Sequence, residues 1–423
     1  MSMLPIIAST IFLVGYAIIA LESKLHINKS GVALFMGALL WILLAAFGQY
    51  NFDHELAEAI VEIFNITLFL MCAMALVEII AHYRVFDVIQ AKIFAHRPSD
   101  KMQFISITAL TFIFSALLDN LTTTIVMIQI ATKFFKGKNL LIAAVGIVIT
   151  ANAGGAFSPI GDVTTIMIWL AGKFEAWEVI VGGILPSVAL YLTMLGLMLP
   201  TIKESGFDIV PEQVEPLSKS EPLVVATAGL SFTLPIIVKF FHLPPLFGLL
   251  LGLGAAWILM DFFRHRKNTV RTHLTATTEH LLSKIDMSSI KFFIGILFAV
   301  SALSLTGVLE KVSTFIYGSG ESTTQIIMGN ALLGGISSIL DNIPLTAIAL
   351  DILPVTDPEI WVQLALMVGT GGSLLVLGSA AGVVAMGMVK ELTFEEYFKI
   401  GFKPAAISYV VCLGVWWLQY SLF

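Results

Sequence analysis

The sequence Ser115-Ala-Leu-Leu-Asp-Asn-Leu-Thr-Thr-Thr124 lies inside an apolar run and occurs a second time, as Ser337-Ser-Ile-Leu-Asp-Asn-Ile-Pro-Leu-Thr346. The two segments are identical at five of ten positions and are offset by 222 residues. A polar Ser-x-x-x-Asp-Asn pattern rarely recurs inside apolar runs by chance. We therefore predict two related halves, each with a polar interruption in an apolar segment, at roughly 101–135 and 321–353.

Each half contains a second interrupted segment, in which glycines break an apolar stretch. These stretches, 140–172 and 358–388, exceed the roughly 20 residues that one membrane-spanning helix needs. We expect each to form a broken helix with its break inside the membrane. The glycines have the same spacing in the two halves and are Gly154, Gly155 and Gly161 in the first and Gly371, Gly372 and Gly378 in the second.

Composition indicates a membrane protein. Of the 423 residues, 57% are apolar and 12% are charged, whereas soluble proteins carry about 25% charged residues. The 23 Lys and Arg are scattered among loops, so no nucleic-acid partner is expected, and we predict an all-α integral membrane protein surrounded by lipid. The first apolar run lacks the basic region and cleavage site of a signal peptide. Eight ordinary spans are predicted, at Leu4–Leu21, Gly31–Gly48, Leu56–Ala81, Trp177–Leu199, Leu223–Phe241, Leu246–Met260, Ile290–Leu305 and Pro404–Leu418.

The distribution of Lys and Arg decides how the Asp-Asn segments sit in the membrane, because cytoplasmic loops carry the excess of both residues. If the segments are re-entrant hairpins, which enter and leave on one side, the two sides of the membrane carry 20 and 3 of these residues. If the segments cross, the split is 12 and 11. We therefore predict hairpins, ten spans and both termini outside. Because each repeat has five spans, the repeats 1–200 and 222–423 are expected to be inverted, with a cytoplasmic linker at 201–221.

Three acids lie in the middle of these interrupted segments: Asp119, Asp162 and Asp341. An ionised Asp at mid-membrane costs about 2.5–3.5 kcal/mol. No basic residue lies near any of them in the sequence, although helix packing could still supply a salt bridge. We expect the counter-charge to be a bound cation or a proton.

The interruptions are also rich in oxygen ligands, which hard cations such as Na⁺ favour. The carbonyl groups freed where a helix breaks add to them. No Lys or Arg is expected at the hairpin tips, which argues against an anionic substrate. Besides the three aspartates, the polar residues of the breaks are Ser115, Asn120, Thr123, Thr124, Asn152, Ser158, Thr164, Ser337, Asn342, Ser373 and Ser379. Glu78, at the end of its span, is a weaker candidate.

The two broken helices differ in a way that predicts where the cation binds. Asn152, Asp162 and Thr164 of the first correspond to glycine, serine and alanine in the second. We therefore place the main cation site in the first half, completed by Asp341 and Asn342. Burial disfavours the ionised form of a carboxyl group, so proton and cation are expected to exclude each other at the same acid, which is enough to couple their exchange.

The hairpins, the segment from Asn152-Ala-Gly-Gly to Gly-Asp162-Val-Thr164, and the early Leu21-Glu-Ser-Lys and Asn-Lys-Ser-Gly31 resemble NhaD-type sodium/proton antiporters of the ion transporter superfamily. The resemblance covers nearly the whole chain. It implies the ion-transporter-superfamily fold and export of Na⁺ or Li⁺ in exchange for H⁺, with no cofactor and no enzymatic activity. The direct start at the first span favours a bacterial plasma (inner) membrane over an organelle. The resemblance also implies a homodimer whose hairpins and broken helices move like an elevator against the ordinary spans. The positions that match the family's functional polar residues are Asp119, Asn120, Asn152, Asp162, Thr164, Ser115, Ser337, Asp341 and Asn342.

Two alternatives remain. One is an anion carrier of the same architecture, for arsenite or dicarboxylates, which the acidic hairpin tips disfavour. The other is an intramembrane aspartyl protease with Asp119 and Asp341 as its catalytic pair. Such proteases resemble each other in Tyr-Asp and Gly-x-Gly-Asp motifs, and neither occurs at these aspartates.

Overall fold

The computed structural model describes residues 3–47, 52–83, 85–86, 88, 99–204, 221–266, 281–318, 320 and 322–422. Throughout these residues the secondary structure is helical, without a strand, as predicted. In the described residues, eight helices are long and apolar enough to cross a membrane. The described part of the chain is therefore a set of mainly apolar helices.

The first half contains nine α-helices and a short 3₁₀ turn among its described residues. They are α1 (Met3–Ala20), α2 (Glu22–Leu25), α3 (Lys29–Phe47), α4 (Phe52–His82), α5 (Asp100–Leu117), α6 (Asn120–Phe134), α7 (Gly137–Ala156), α8 (Val163–Leu170), α9 (Ala176–Met198) and the 3₁₀ turn Leu199–Thr201.

The second half also contains both long and interrupted helices. Its described helices are α10 (Glu221–Ser231), α11 (Leu234–Lys239), α12 (Leu246–Arg266), α13 (Met287–Ser304), α14 (Val308–Tyr317), α15 (Thr323–Ile336), α16 (Asn342–Ile352), α17 (Pro358–Gly371), α18 (Ala380–Met388) and α19 (Phe394–Leu422). Most of the predicted linker, residues 205–220, lies outside the described residues.

One predicted span is wrong as a single helix. The stretch Leu223–Phe241 forms two helices, α10 and α11, which are separated by a turn at Phe232 and Thr233. Pro235 in the first turn of α11 has no N–H to continue a helical ladder, and its ring would clash with the carbonyl group four residues earlier. Hydropathy alone could not detect this break, because apolar residues continue through it.

The interruptions predicted from the Asp-Asn and glycine motifs are present at the expected places. Helix α5 ends two residues before Asp119, and α6 begins directly after it. In the second half, α16 begins directly after Asp341. The broken helices are interrupted at 157–162 and 372–379, so each half contains both of its predicted interruptions.

The two central helices of the fold are α7 and α17, the first parts of the broken helices. Every residue of α7 from Ile142 to Ala156 is buried, and so is every residue of α17 from Ile360 to Gly371. A helix that is apolar and buried all round belongs in the core of a large helical protein. The two helices pack against each other, which brings the breaks at their ends together.

Packing around this centre is reciprocal between the halves. Helix α18 of the second half packs against α6 of the first, and α8 of the first packs against α16 of the second. The long helices α3 and α13 form one extensive contact, and α9 and α19 form another. Each interrupted segment is thus completed by one from the other half.

Candidate functional site

A cavity of about 50 Å³ lies where the breaks meet. Its wall is formed by residues of α3, α4, α6, α8, α13, α16 and α18, and its apolar lining includes Leu70 and Phe293. A space of this size holds roughly four water molecules or a small ion with part of its hydration shell. The polar residues that line it are Lys29, Asp119, Asn120, Asp162, Asp341 and Asn342, with Ser289 at the edge.

Asp162 is the centre of the polar network. Its side chain is 1% exposed, and the carboxylate accepts hydrogen bonds from the Thr164 backbone N–H (3.1 Å) and from the amide groups of Asn120 (3.1 Å) and Asn342 (3.1 Å). Asn120 and Asn342 come from the two different Asp-Asn segments. The structure therefore joins both predicted hairpins on one buried carboxylate.

All three aspartates occupy the N-cap position of a helix: Asp119 of α6, Asp162 of α8 and Asp341 of α16. Asp is among the preferred N-cap residues, because its oxygen accepts a free backbone N–H. Asp119 accepts from Thr122 N–H (2.7 Å) and Asp341 from Ile343 N–H (3.2 Å). The partial positive charge of a helix N-terminus also stabilises an ionised carboxylate. An Asp directly before an apolar helix is a helix start signal, so each of these helix starts is also visible in the sequence.

Asn152 connects the first broken helix to the second. Its Oδ1 accepts from Asn120 Nδ2 (3.1 Å), and its Nδ2 donates to Ser373 Oγ (2.8 Å) and Ser379 Oγ (3.1 Å). Both serines are buried. Ser373 and Ser379 therefore belong to the same network as Asp162, to which they are linked through Asn152 and Asn120.

Asp341 has a basic partner, so the expectation that no Lys or Arg lies at the tips is wrong for this residue. Lys29 Nζ lies 3.4 Å from Asp341 Oδ2, and both residues line the cavity. The two residues are 312 positions apart, so no inspection of neighbouring sequence could pair them. Lys29 belongs to the Asn-Lys-Ser-Gly motif that carried part of the family resemblance.

Ser115 and Ser337 are not among the residues that line the cavity. Their hydroxyl groups donate to backbone carbonyl groups of the broken helices, Ser115 to Ala151 (2.5 Å) and Ser337 to Val368 (2.9 Å). Both side chains are 0% exposed. These serines therefore hold each Asp-Asn segment against its own broken helix.

The remaining predicted residues are divided between the network and other parts of the fold. Thr123 and Thr164 are buried, and their hydroxyl groups have no hydrogen-bond partner within the described part of the chain. The Ser158 hydroxyl accepts from Ile160 N–H (3.4 Å) inside the first break. Glu78 forms an ion pair with Lys284 (3.0 Å) and does not line the cavity.

The donor atoms available to an ion are carboxylate, amide and hydroxyl oxygens, which suit a hard cation. Among the described residues, no three His, Cys, Asp or Glu side chains converge closely enough to hold one metal ion. Asp119, Asp162 and Asp341 therefore line one cavity without forming a three-carboxylate cage. A cation there would use one or two carboxylates together with neutral oxygens.

The sequence pattern of the citrate transporter family matches residues 16–382 of this chain. The chain belongs to that family. Among similar proteins, Sodium/proton antiporter 2 of Arabidopsis thaliana is 35% identical over 92% of this chain and 93% of its own length. The Na(+)/H(+) antiporter NhaD of Alkalimonas amylolytica is 31% identical over 100% of this chain and 92% of its own, and that of Vibrio cholerae is 31% identical over 93% and 87%.

These relatives confirm the resemblance to NhaD-type proteins over nearly the whole chain. Membership of a transporter family also confirms that the protein is not an enzyme, and the protease alternative is set aside. Together with the eight candidate spans, it makes this chain a multi-pass membrane transporter.

The transporter has a second cavity of about 280 Å³, which is lined by residues of α4, α8, α13 and α16. Ile66, Met167, Leu297 and Ala347 line this second cavity, while Leu70, Ile166, Phe293 and Ile343 line the first. The residues that line the two spaces therefore lie close together on these helices. The charged residues of the second cavity are Glu55, Glu58, Glu62 and Asp351.

Proposed function

We propose that this protein is a secondary active antiporter that exports Na⁺ or Li⁺ in exchange for H⁺. The observation that carries the proposal is Asp162, a fully buried carboxylate at the point where both Asp-Asn segments meet. In the described part of the chain, no Lys, Arg or His forms an ion pair with it. A buried charge without a partner is costly, so a bound cation or proton supplies the missing positive charge.

Competition at Asp162 provides the coupling. The ionised carboxylate is stabilised by three N–H donors and the N-terminus of α8, but burial away from water opposes ionisation. In our proposal Na⁺ binds the ionised carboxylate and a proton neutralises it, and the two do not bind together. The site can cross the membrane when Asp162 carries Na⁺ or a proton, but not when the carboxylate is ionised and empty. This restriction makes the transport an exchange.

The names of the relatives and of the family indicate different transported substrates. Several relatives are named sodium/proton antiporters, whereas the family is described as citrate transporters. The cavity supports the cation, because three carboxylates and one lysine line it, and a citrate anion would be repelled. Its volume of about 50 Å³ also suits an ion better than a tricarboxylate.

We further propose the inverted-repeat fold with ten spans, two re-entrant hairpins and both termini outside. Matching contacts in the two halves support the repeat. Ser115 bonds to the carbonyl of residue 151, as Ser337 does to that of residue 368, and these pairs keep the offsets of 222 and 217 found in the sequence. The reciprocal packing of α18 on α6 and of α8 on α16 fits the same two-fold relation.

In this topology the two cavities support alternating access. Lys29 and Ser289, at the predicted cytoplasmic ends of α3 and α13, line the first cavity, so the site faces the cytoplasm. Glu55 and Glu58, at the opposite end of α4, line the second. Movement of the broken helices and hairpins would transfer the site between the two sides. By family resemblance we propose an elevator-type movement, a homodimer and a location in the bacterial inner membrane.

The test is proton movement in everted membrane vesicles that contain this protein, after a respiratory substrate has made their lumen acidic. Addition of NaCl or LiCl is expected to dissipate the pH gradient, and choline chloride is not. Addition of Tris citrate tests the second candidate function, that of a citrate carrier. Failure of every alkali cation to dissipate the gradient, with the protein present in the membrane, would overturn the antiporter proposal, and a response to citrate alone would favour the carrier.

A further inference from the structure

Lys29 is a basic residue in a cavity that otherwise collects carboxylates. Its Nζ lies 3.4 Å from Asp341 Oδ2, and the side chains are 26% and 15% exposed. The ammonium group also lies 4.6 Å from the centre of the Phe292 ring, within the range of a cation–π contact. Lys29 and Asp341 therefore form an ion pair at the wall of the cavity.

The position of Lys29 is fixed by helices that do not carry the Asp-Asn segments. Its backbone N–H donates to Glu22 Oε1 (3.0 Å), and the next residue, Ser30, donates through its hydroxyl to the Ser288 carbonyl (2.8 Å). These contacts between α2, α3 and α13 thus position the backbone from which the Lys29 side chain extends. The ion pair with Asp341 joins these helices to the start of α16.

The pairing distinguishes the two halves. Asp119 and Asp341 are equivalent in the repeat, both are N-caps, and both line the cavity. The described residues contain an ion pair for Asp341 but none for Asp119 or Asp162. The cavity therefore has one acid whose charge is already balanced by the protein and two whose charges are not.

We propose that Lys29 is an internal competitor of the transported cation. Its ammonium group balances Asp341 while the site is empty of cation, and an incoming Na⁺ displaces it from the carboxylate. The inference rests on the proposed function, since it requires Asp341 to contribute to the cation site. Lys29 then sets the affinity of the site: it keeps Na⁺ binding weak enough for release, and it ties α16 to α3 when no cation is bound.

The experiment is a Na⁺ titration of the thermal stability of the purified full-length protein in detergent, with choline chloride holding ionic strength constant. Lys29→Gln is expected to lower the half-saturating Na⁺ concentration about tenfold, because a half-buried ion pair lies between the weak exposed and the strong buried classes. Lys284→Gln is the matched control. It also removes a lysine from an ion pair, with Glu78 at 3.0 Å, but outside the cavity, and should leave the half-saturating concentration unchanged.

A Lys29→Gln variant whose half-saturating Na⁺ concentration is unchanged within about twofold, or is raised, would overturn the inference. If Lys29→Gln does not elute as a folded protein in size-exclusion chromatography, the Lys29→Arg variant tests the inference instead. Arginine pairs with a carboxylate through two donors, so roughly threefold more Na⁺ should be needed, and no increase counts against competition. If the unmodified protein shows no Na⁺-dependent stabilisation, the proposed function fails rather than the role of Lys29.

Discussion

The Asp162→Asn substitution removes the charge of the central carboxylate and changes little else. Asn caps a helix about as well as Asp, so α8 keeps its first turn. The new side chain has one oxygen in place of two, and Asn120 and Asn342 both donate to Asp162. One of these amides therefore loses its acceptor, and the cation loses its full negative charge.

The expected loss of affinity can be worked out from Coulomb attraction. A monovalent cation about 2.5 Å from a carboxylate oxygen is attracted by roughly 7 kcal/mol at an effective dielectric constant of about 20. Removing water from the ion and the carboxylate offsets about half of this. The remaining ~3 kcal/mol corresponds to more than a hundredfold weaker cation binding, so exchange should be undetectable at millimolar Na⁺.

The assay compares Na⁺-dependent dissipation of the pH gradient in everted vesicles with Na⁺-dependent thermal stabilisation of the purified variant. Asp286→Asn is the control, because Asp286 is the N-cap of α13 and does not line either cavity. Both responses should disappear in Asp162→Asn and persist in Asp286→Asn. Exchange by Asp162→Asn with an apparent Na⁺ affinity within about tenfold of the unmodified protein would refute the reasoning. A tenfold change corresponds to less than half of the ~3 kcal/mol that the Asp162 charge is expected to contribute to Na⁺ binding.

Three further outcomes are expected. In Gly161→Ala, the added methyl group would overlap the Ser115 carbonyl oxygen, so transport should be lost and the free energy of unfolding reduced by about 1–3 kcal/mol. Gly196→Ala is the control, because open space surrounds its Cβ position, and it should change neither the vesicle assay nor the melting curve. The double change Ser373→Ala and Ser379→Ala leaves the buried Asn152 Nδ2 without its two acceptors, which should raise the half-saturating Na⁺ about tenfold, and an unchanged value would remove Asn152 from the site. The predicted topology is tested with Ser421→Cys, near the C-terminus, which should react with a membrane-impermeant maleimide in intact cells and not in everted vesicles. The background labelling should be low, because both native cysteines are buried. The opposite pattern would place the C-terminus in the cytoplasm.

The breaks and the polar residues within them could be predicted because they leave local signals. An Asp-Asn pair inside an apolar run and a fixed spacing of glycines are visible within a window of about ten residues. The structure brings Asn120, Asn152, Asp162 and Asn342 into one hydrogen-bonded network, as the combination of both halves predicted. The strongest signal in the sequence is that the Ser-x-x-x-Asp-Asn motif occurs twice, once in each half.

Other features depend on contacts between distant parts of the chain and could not be predicted. Lys29 meets Asp341 across 312 residues, and Glu78 meets Lys284, because helix packing places them together. The inward hydrogen bonds of Ser115 and Ser337 depend on which face of a helix touches its neighbour. The break between α10 and α11 follows from Pro235, a local signal that the continuous apolar composition concealed.

The most direct measurement is the uptake of radioactive sodium into proteoliposomes that contain only the purified protein. With the lumen more acidic than the outside, Na⁺ should accumulate as protons leave, and reversing the pH gradient should drive Na⁺ out. The Asp162→Asn protein, reconstituted at the same density, should do neither. Sodium movement that ignores the direction of the pH gradient, or that requires citrate on the same side, would contradict the exchange of Na⁺ and H⁺ at this site.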